Sequence, residues 1–320
     1  MLIQKNTVIR HGEASRKSRP TLLRKLARQR NLQFMVLPGI VWMFIFCYIP
    51  IFWLIIAFKE YDITKPMLDA PWVGLKQFKE MFADSRFYEV LVNTAGISFY
   101  KLIVAFPIPI LFALLLNEIV SPRFKKLIQT VTYLPHFISW AIFGGILLNW
   151  LSDTGFVNNV LIALHLQSEP VFYNSVPDYF WGIAVTSDVW KEMGWNAIIY
   201  IAAISTIDQD IYQSADIDGA GRFRKMWYIT VQNIRPTIAI LFILAVSNVL
   251  SGSFEQIFVL RNNMNLPKSE TLDLFVYNMG IVSGRFSYST AVLLCRSVVS
   301  LLLLLLANFV SRKLTKESLF

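Results

Sequence analysis

Ionisable and amide side chains recur at helical spacing inside stretches that are otherwise apolar. Asp188, Glu192, Asn196 and Tyr200 follow one another at intervals of four, with Lys191 and Trp195 beside them, so a helix would carry the four on one face. Asn248, Ser251, Gly252 and Glu255 share a face in the same way, while Lys101 and Arg296 stand in two further apolar stretches. A charge in hydrocarbon costs about 2.5–3.5 kcal/mol on insertion scales, so such residues are read first as functional. Two chemistries fit them. Lys191 with Glu192, and Arg296 with Glu255, can neutralise one another and hold helices together. Equally, the two polar faces can line one hydrated path, where Asn and Ser offer a polar solute weak, renewable hydrogen bonds. Other chemistries lack residues. His11, His136 and His165 are too scattered to ligate a metal, Cys47 and Cys295 lie in apolar blocks, and no nucleophile–base pair marks a helix end.

The elements that must position these residues are membrane helices. The chain has 320 residues, 55% apolar and 16% charged, against about 25% charged in a soluble domain. About 20 apolar residues span a bilayer, and six such blocks fall near 34–58, 90–116, 129–151, 181–205, 236–258 and 288–310. The fourth is the weakest, because Asp188, Lys191 and Glu192 interrupt it. The first is too long for a cleaved signal peptide and reads as an anchor. Of the thirty Lys and Arg, nineteen lie in 1–33, 117–128, 206–235 and 311–320, eight in the alternate loops and three within spans. The positive-inside bias therefore predicts both termini in the cytoplasm. Residues 1–33 hold nine of these cations against Glu13 alone, which reads as a cytoplasmic retention segment and not a nucleic-acid arm; 34–320 form the membrane domain. Pro38, Pro50, Pro107, Pro109 and Pro135 are expected within or near spans, where neighbours re-satisfy the freed carbonyls. Pro236 is expected at the first turn of span five.

The inside loop 206–235 is the most informative stretch. Asp208 or Asp210 can cap a short helix through Tyr212–Ile217, Gly219 and Gly221 break it, and Phe223–Ile229 can form a second short helix. The product is a compact knob whose Ile211 and Ala215 share a face that can enter an apolar groove. An amphipathic helix lying on lipid is the alternative; Asp208, Asp210, Asp216 and Asp218 suit an anionic leaflet poorly.

This loop resembles the signature of the permeases of binding-protein-dependent ABC importers. Their Glu-Ala-Ala, two residues, Asp-Gly-Ala pattern reads here Gln213-Ser214-Ala215, Asp216-Ile217, Asp218-Gly219-Ala220, with Pro236 closing it. Gln213 replaces the family's glutamate and Ser214 an alanine, which removes a charge from the docking face. Leu37-Pro38-Gly39, Trp72-Val73-Gly74-Leu75-Lys76-Gln77-Phe78 and Asn93-Thr94 resemble the carbohydrate-uptake branch, most closely permeases for alginate-type oligosaccharides.

The resemblance implies an all-α, six-span permease of the type I ABC importer fold in a bacterial inner membrane. It implies a second permease subunit, two copies of an ABC ATPase and an extracytoplasmic substrate-binding protein, periplasmic where there is a periplasm. Gln213, Ser214, Ala215, Asp218, Gly219 and Ala220 would rest in an ATPase cleft. The chain holds no G-x-x-x-x-G-K-[ST] loop, so ATP and Mg belong to that partner; no cofactor or metal is expected here. The path residues would be Lys191, Glu192, Trp195, Asn196, Tyr200, Asn248, Ser251, Glu255 and Arg296, with Trp195 stacking on a sugar and Lys191 or Arg296 meeting a uronate carboxylate. Trp140, Trp150, Trp181 and Trp190 read as interfacial belt residues. Two other classes remain: a single-chain, ion-coupled sugar transporter, which leaves the knob unexplained, and a membrane enzyme acting on lipid-linked sugars.

Overall fold

The computed structural model describes residues 29–315. Most of the basic 1–33 segment, His11 among it, and the last five residues lie outside the described residues. The chain forms two compact units that divide in sequence between Leu54 and Ile55. Among the described residues the regular structure is helical, with one isolated antiparallel bridge between Lys59 and Trp72.

Among the described residues, four helical rods are long and apolar enough to cross a bilayer: Asn31–Phe58, Ser85–Asn117, Arg222–Ser247 and Phe286–Lys313. Their side chains face outward, Leu302 at 59% and Phe309 at 65% exposure on the last rod, the reverse of a soluble core and the condition for contact with lipid. The rods of the second unit are built from α1 (Ser85–Tyr100), α2 (Pro107–Asn117), α6 (Val231–Ser247) and α9 (Phe286–Thr315). Between α1 and α2 lies a π turn, Lys101–Ala105, where the Phe106 N–H reaches back to the Lys101 carbonyl at 3.0 Å. That widened turn precedes Pro107, whose ring would crowd the carbonyl four residues back in a regular helix.

The third expected span, 129–151, is not straight. Helix α3 (Pro122–Tyr133) runs into a 3-10 turn at Leu134–Phe137, and α4 (Trp140–Trp150) leaves at 101° to it. Ile138 is extended, and the Ser139 hydroxyl accepts the Ile142 N–H at 3.4 Å. Ser139 thus caps a new helix where a continuous one was expected. Counting the bent pair as one crossing gives five at most. Helix α5 (Phe180–Ser205) has 26 residues, about 39 Å at 1.5 Å each, but Asp188, Lys191 and Glu192 keep it outside the apolar set.

Span five differs most from expectation. Its rod begins at Arg222 and stops at Ser247, so Pro236 lies inside it and not at its first turn. The chain then bends through 248–253 into α7 (Phe254–Leu260), followed by α8 (Leu272–Tyr277). Helix α5 packs along α2, α6 along α9 and α7 along α4. Tyr200, Ile204, Ala113, Leu114 and Ile234 form one buried cluster of α5, α2 and α6; Ile97, Phe180, Ala184, Ile257 and Leu274 form another of α1, α5, α7 and α8. Lipid is as apolar as these side chains, so close fit and not burial holds them.

Gly194 shows how close that fit is. A Cβ there would collide with the Thr132 carbonyl of α3, a backbone atom that cannot swing aside. Gly194→Ala should therefore destabilise the α3–α5 crossing by about 1–3 kcal/mol. Thermal unfolding of the purified protein in detergent should show a lowered midpoint.

Candidate functional site

The knob is formed by α10 (Gln209–Ile217) and the start of the Arg222–Ser247 rod. Asp208 caps α10, its carboxylate accepting the Asp210 N–H at 3.0 Å. At the other end Gly219 takes φ +71°, the left-handed region. The Gly219 N–H donates to the Asp216 carbonyl at 3.1 Å, and the Ala220 N–H to the Ala215 carbonyl at 2.9 Å. This is a Schellman closure, in which the glycine supplies the reversed φ and small apolar residues meet across the bend. The Asp-Gly-Ala motif thus has a backbone reason as well as a family resemblance.

The Lys225 ammonium meets the Asp216 carboxylate at 2.5 Å. The Tyr212 hydroxyl bonds Thr230 Oγ1 at 2.9 Å, and Tyr212, Met226 and Ile229 pack on the α5–α2–α6 cluster. The knob is therefore held firmly at the foot of α5. Gln213 and Asp218 are exposed, and the Ser214 hydroxyl is turned onto its own helix, donating to the Asp210 carbonyl at 2.8 Å. Ala215 is half-buried against the bend. Ile211 is 42% exposed, and Ile217 and Phe223, on either side of Gly219, are exposed further, at 88% and 80%.

The polar stripe of α5 divides among three environments. Asp188 pairs with Lys101 at 2.8 Å, and the same ammonium donates to Ser253 Oγ at 2.9 Å and Gln256 Oε1 at 2.8 Å. Gln256, with no exposed surface, donates in turn to the Ala184 carbonyl and Ser187 Oγ. One turn on, Lys191 is buried, 2.8 Å from the His136 carbonyl and 3.1 Å from Glu192 Oε1. Glu192 Oε2 also meets His136 Nδ1 at 2.6 Å, and the His136 ring stacks on Trp195 with centroids 4.2 Å apart. Lys191, Glu192 and Trp195 therefore grip the corner of the bent α3–α4 pair. One face of Trp195 is already covered by imidazole.

Asn196 and Tyr200 face a cleft between α1–α2, α5 and α6. Its upper part, about 210 Å³, is lined by Ser98, Lys101, Phe106, Asn196, Asn248 and Ser251. A continuation of about 200 Å³ runs past Asn196, Pro109, Leu241 and Tyr200. The structure thus brings Asn196, Tyr200, Asn248 and Ser251 together.

Arg296 and Glu255 do not pair. Because α6 ends at Ser247, residues 248, 251 and 255 do not form one helix face, and Glu255 is exposed in the first turn of α7. Arg296 instead bonds the Asp273 carboxylate and gives a second N–H to Ser251 Oγ at 2.6 Å. Gly252 lies close by: a Cβ there would sit 3.2 Å from Thr271 Oγ1 and 3.3 Å from Asp273 Oδ2, so the glycine lets the start of α8 approach. Sequence reasoning missed Asp273, Gln256 and His136. A lone lysine in one apolar helix and an aspartate in the charged stripe of another were the available signal for the Lys101–Asp188 pair.

A family model described as "Binding-protein-dependent transport system inner membrane component" matches residues 105–316. Protein LplB of Bacillus subtilis (strain 168) is 40% identical over 296 residues, 92% of each chain. The polygalacturonan/rhamnogalacturonan transport system permease protein YteP of the same organism is 38% identical over 306 residues, 95% of each chain. A crystal structure of a bacterial ABC transporter involved in the import of the acidic polysaccharide alginate has a chain that superposes with a TM-score of 0.84 at 35% identity, over 92% of this chain and all of that one. With its span-length rods and its glycine-closed knob, the chain belongs to the family of binding-protein-dependent transport system inner membrane components.

Proposed function

We propose that this chain is one membrane half of an ATP-driven oligosaccharide importer, with acidic sugars among its substrates. Its relatives include a permease for polygalacturonan and rhamnogalacturonan and a chain of an alginate importer, and its cleft offers amide and hydroxyl groups to a sugar. In this reading α5 is the sixth crossing, its charges satisfied inside the protein, and both termini are cytoplasmic in a bacterial inner membrane. Residues 34–320 are the membrane domain behind the basic 1–33 segment. A second permease completes the path, two copies of an ABC ATPase bind ATP and Mg, and an extracytoplasmic binding protein delivers the sugar. One such chain has been crystallised with a periplasmic protein carrying an alginate pentasaccharide.

The observation that carries this reading is the knob. A rigid bend presents Ile217 and Phe223 to solvent at 88% and 80% exposure, which a free cytoplasmic loop has no reason to do. A greasy pocket on the ATPase would receive them, and that apolar contact would compensate for Gln213 where the family carries glutamate. Motion of the ATPase would then reach the cleft through α5, which leads directly into the knob.

The purified complex in proteoliposomes should take up oligosaccharide only with ATP on the ATPase side and the substrate-binding protein on the other, and a proton gradient should not replace ATP. The double variant Ile217→Asp with Phe223→Asp should retain the permease pair but lose most of its co-purifying ATPase. Gradient-driven uptake by this chain alone would instead establish the single-chain transporter.

A further inference from the structure

Three cations lie among the helices around the cleft, and their surroundings differ. Lys191 is 4% exposed and spent on Glu192 and the His136 carbonyl. Lys101 has three donors, and Asp188, Ser253 and Gln256 take all three. Arg296 has five N–H groups; Asp273 and Ser251 are the partners the structure gives it. Its side chain and that of Asp273 are 18% and 17% exposed, and Ser251 lines the cleft beside Asn196 and Asn248. A guanidinium offers two edges to planar oxyanions, and a serine hydroxyl is a weak occupant of one of them.

We propose that Arg296 reads the carboxylate of an acidic sugar in the cleft, the sugar displacing Ser251 while Asp273 keeps hold of the other edge. This rests on the importer reading above and narrows it to uronate-bearing substrates recognised by this chain. Asp273 has two duties here. It neutralises Arg296 when the cleft is empty, and it weakens the hold on the sugar so that the substrate leaves. A cleft with a free cation would trap an anionic sugar, whereas a cation already shared with a carboxylate exchanges one partner for another at small net cost.

The test uses the complete complex in proteoliposomes, with trigalacturonate and its carboxyl-reduced, neutral trisaccharide as probes. Arg296→Gln should raise KM for the acidic sugar by about tenfold or more, the loss of one charge-assisted contact, and by much less for the neutral sugar, which feels only the loss of the brace to Asp273. Asp273→Asn should act in the opposite sense, lowering KM for the acidic sugar and slowing its release. If the pair only braces α8 against α9, both variants should impair both sugars alike, and that result overturns the proposal. Equal handling of the two sugars by the unmodified complex also overturns it, leaving the importer reading in place. No ATP-dependent uptake of either sugar removes the importer reading and this proposal with it. Where Arg296→Gln fails to assemble, Asp273→Asn decides by the direction of its KM shift.

Discussion

Gly219→Val should abolish ATP-coupled uptake while leaving the membrane helices intact. Gly219 has φ +71°, where an L-residue pays roughly 1–2 kcal/mol and a β-branched one more. To escape, the backbone must give up the two bonds that close α10, from Gly219 to Asp216 and from Ala220 to Ala215. Nothing lies within 4 Å of a Cβ built at Gly219, so the penalty is one of backbone conformation, not of collision. The damage is therefore confined to the knob, and Ile217 is swung away from Phe223. Assembly, judged by gel filtration of the permease pair, should be near normal, whereas uptake and transport-linked ATP hydrolysis should fall to background. Gly219→Asn, which tolerates the left-handed region, should keep most of the activity. Normal uptake by the valine variant would separate the knob from coupling.

The knob was legible because its chemistry is local. Asp208, Gly219 and the alanines at 215 and 220 interact within a dozen residues of one another, so capping rules read them directly. Apolar blocks likewise placed the rods at Asn31–Phe58, Ser85–Asn117 and Phe286–Lys313 within a few residues. Hydropathy failed where a local polar group outweighs it. Ser139 starts a helix inside what counts as an apolar block, and the bend after Ser247 ends one. The pairing of charges was not legible, because it depends on those breaks. Were α6 continuous to 258, Glu255 would lie on the face of Asn248 and Ser251 as the spacing implied. The bend turns it outward, Gly252 lets the start of α8 approach, and Asp273 there meets Arg296 in its place. His136 was passed over for want of metal-ligand neighbours, yet its partners are a carboxylate and an indole reached only through the fold.

Lys101→Met should be the most damaging single substitution for assembly. Its ammonium joins Asp188 of α5 to Ser253, just before α7, and Gln256 within it, with the lysine and aspartate side chains 19% and 17% exposed. Removing it leaves the carboxylate and the Gln256 carbonyl oxygen without their cation in a low-dielectric interior. Breaking a buried pair from one side costs about 3–5 kcal/mol, mostly the penalty of the charge left behind. The yield of monodisperse complex in detergent should collapse accordingly. Adding Asp188→Leu removes the stranded charge, so Lys101→Met with Asp188→Leu should assemble far better than Lys101→Met alone, as expected for a pair whose joint replacement is close to neutral. Uptake by that double variant then assigns the lysine its role. Lys101 also lines the cleft, but with its three donors engaged it should act as a strut and not as a sugar ligand. A recovered complex that transports with a near-normal KM fits the strut. One that assembles fully yet has lost sugar affinity would show that the Lys101 ammonium leaves Asp188 for the substrate during the cycle, and Arg296 would then share the reading of the carboxylate with it.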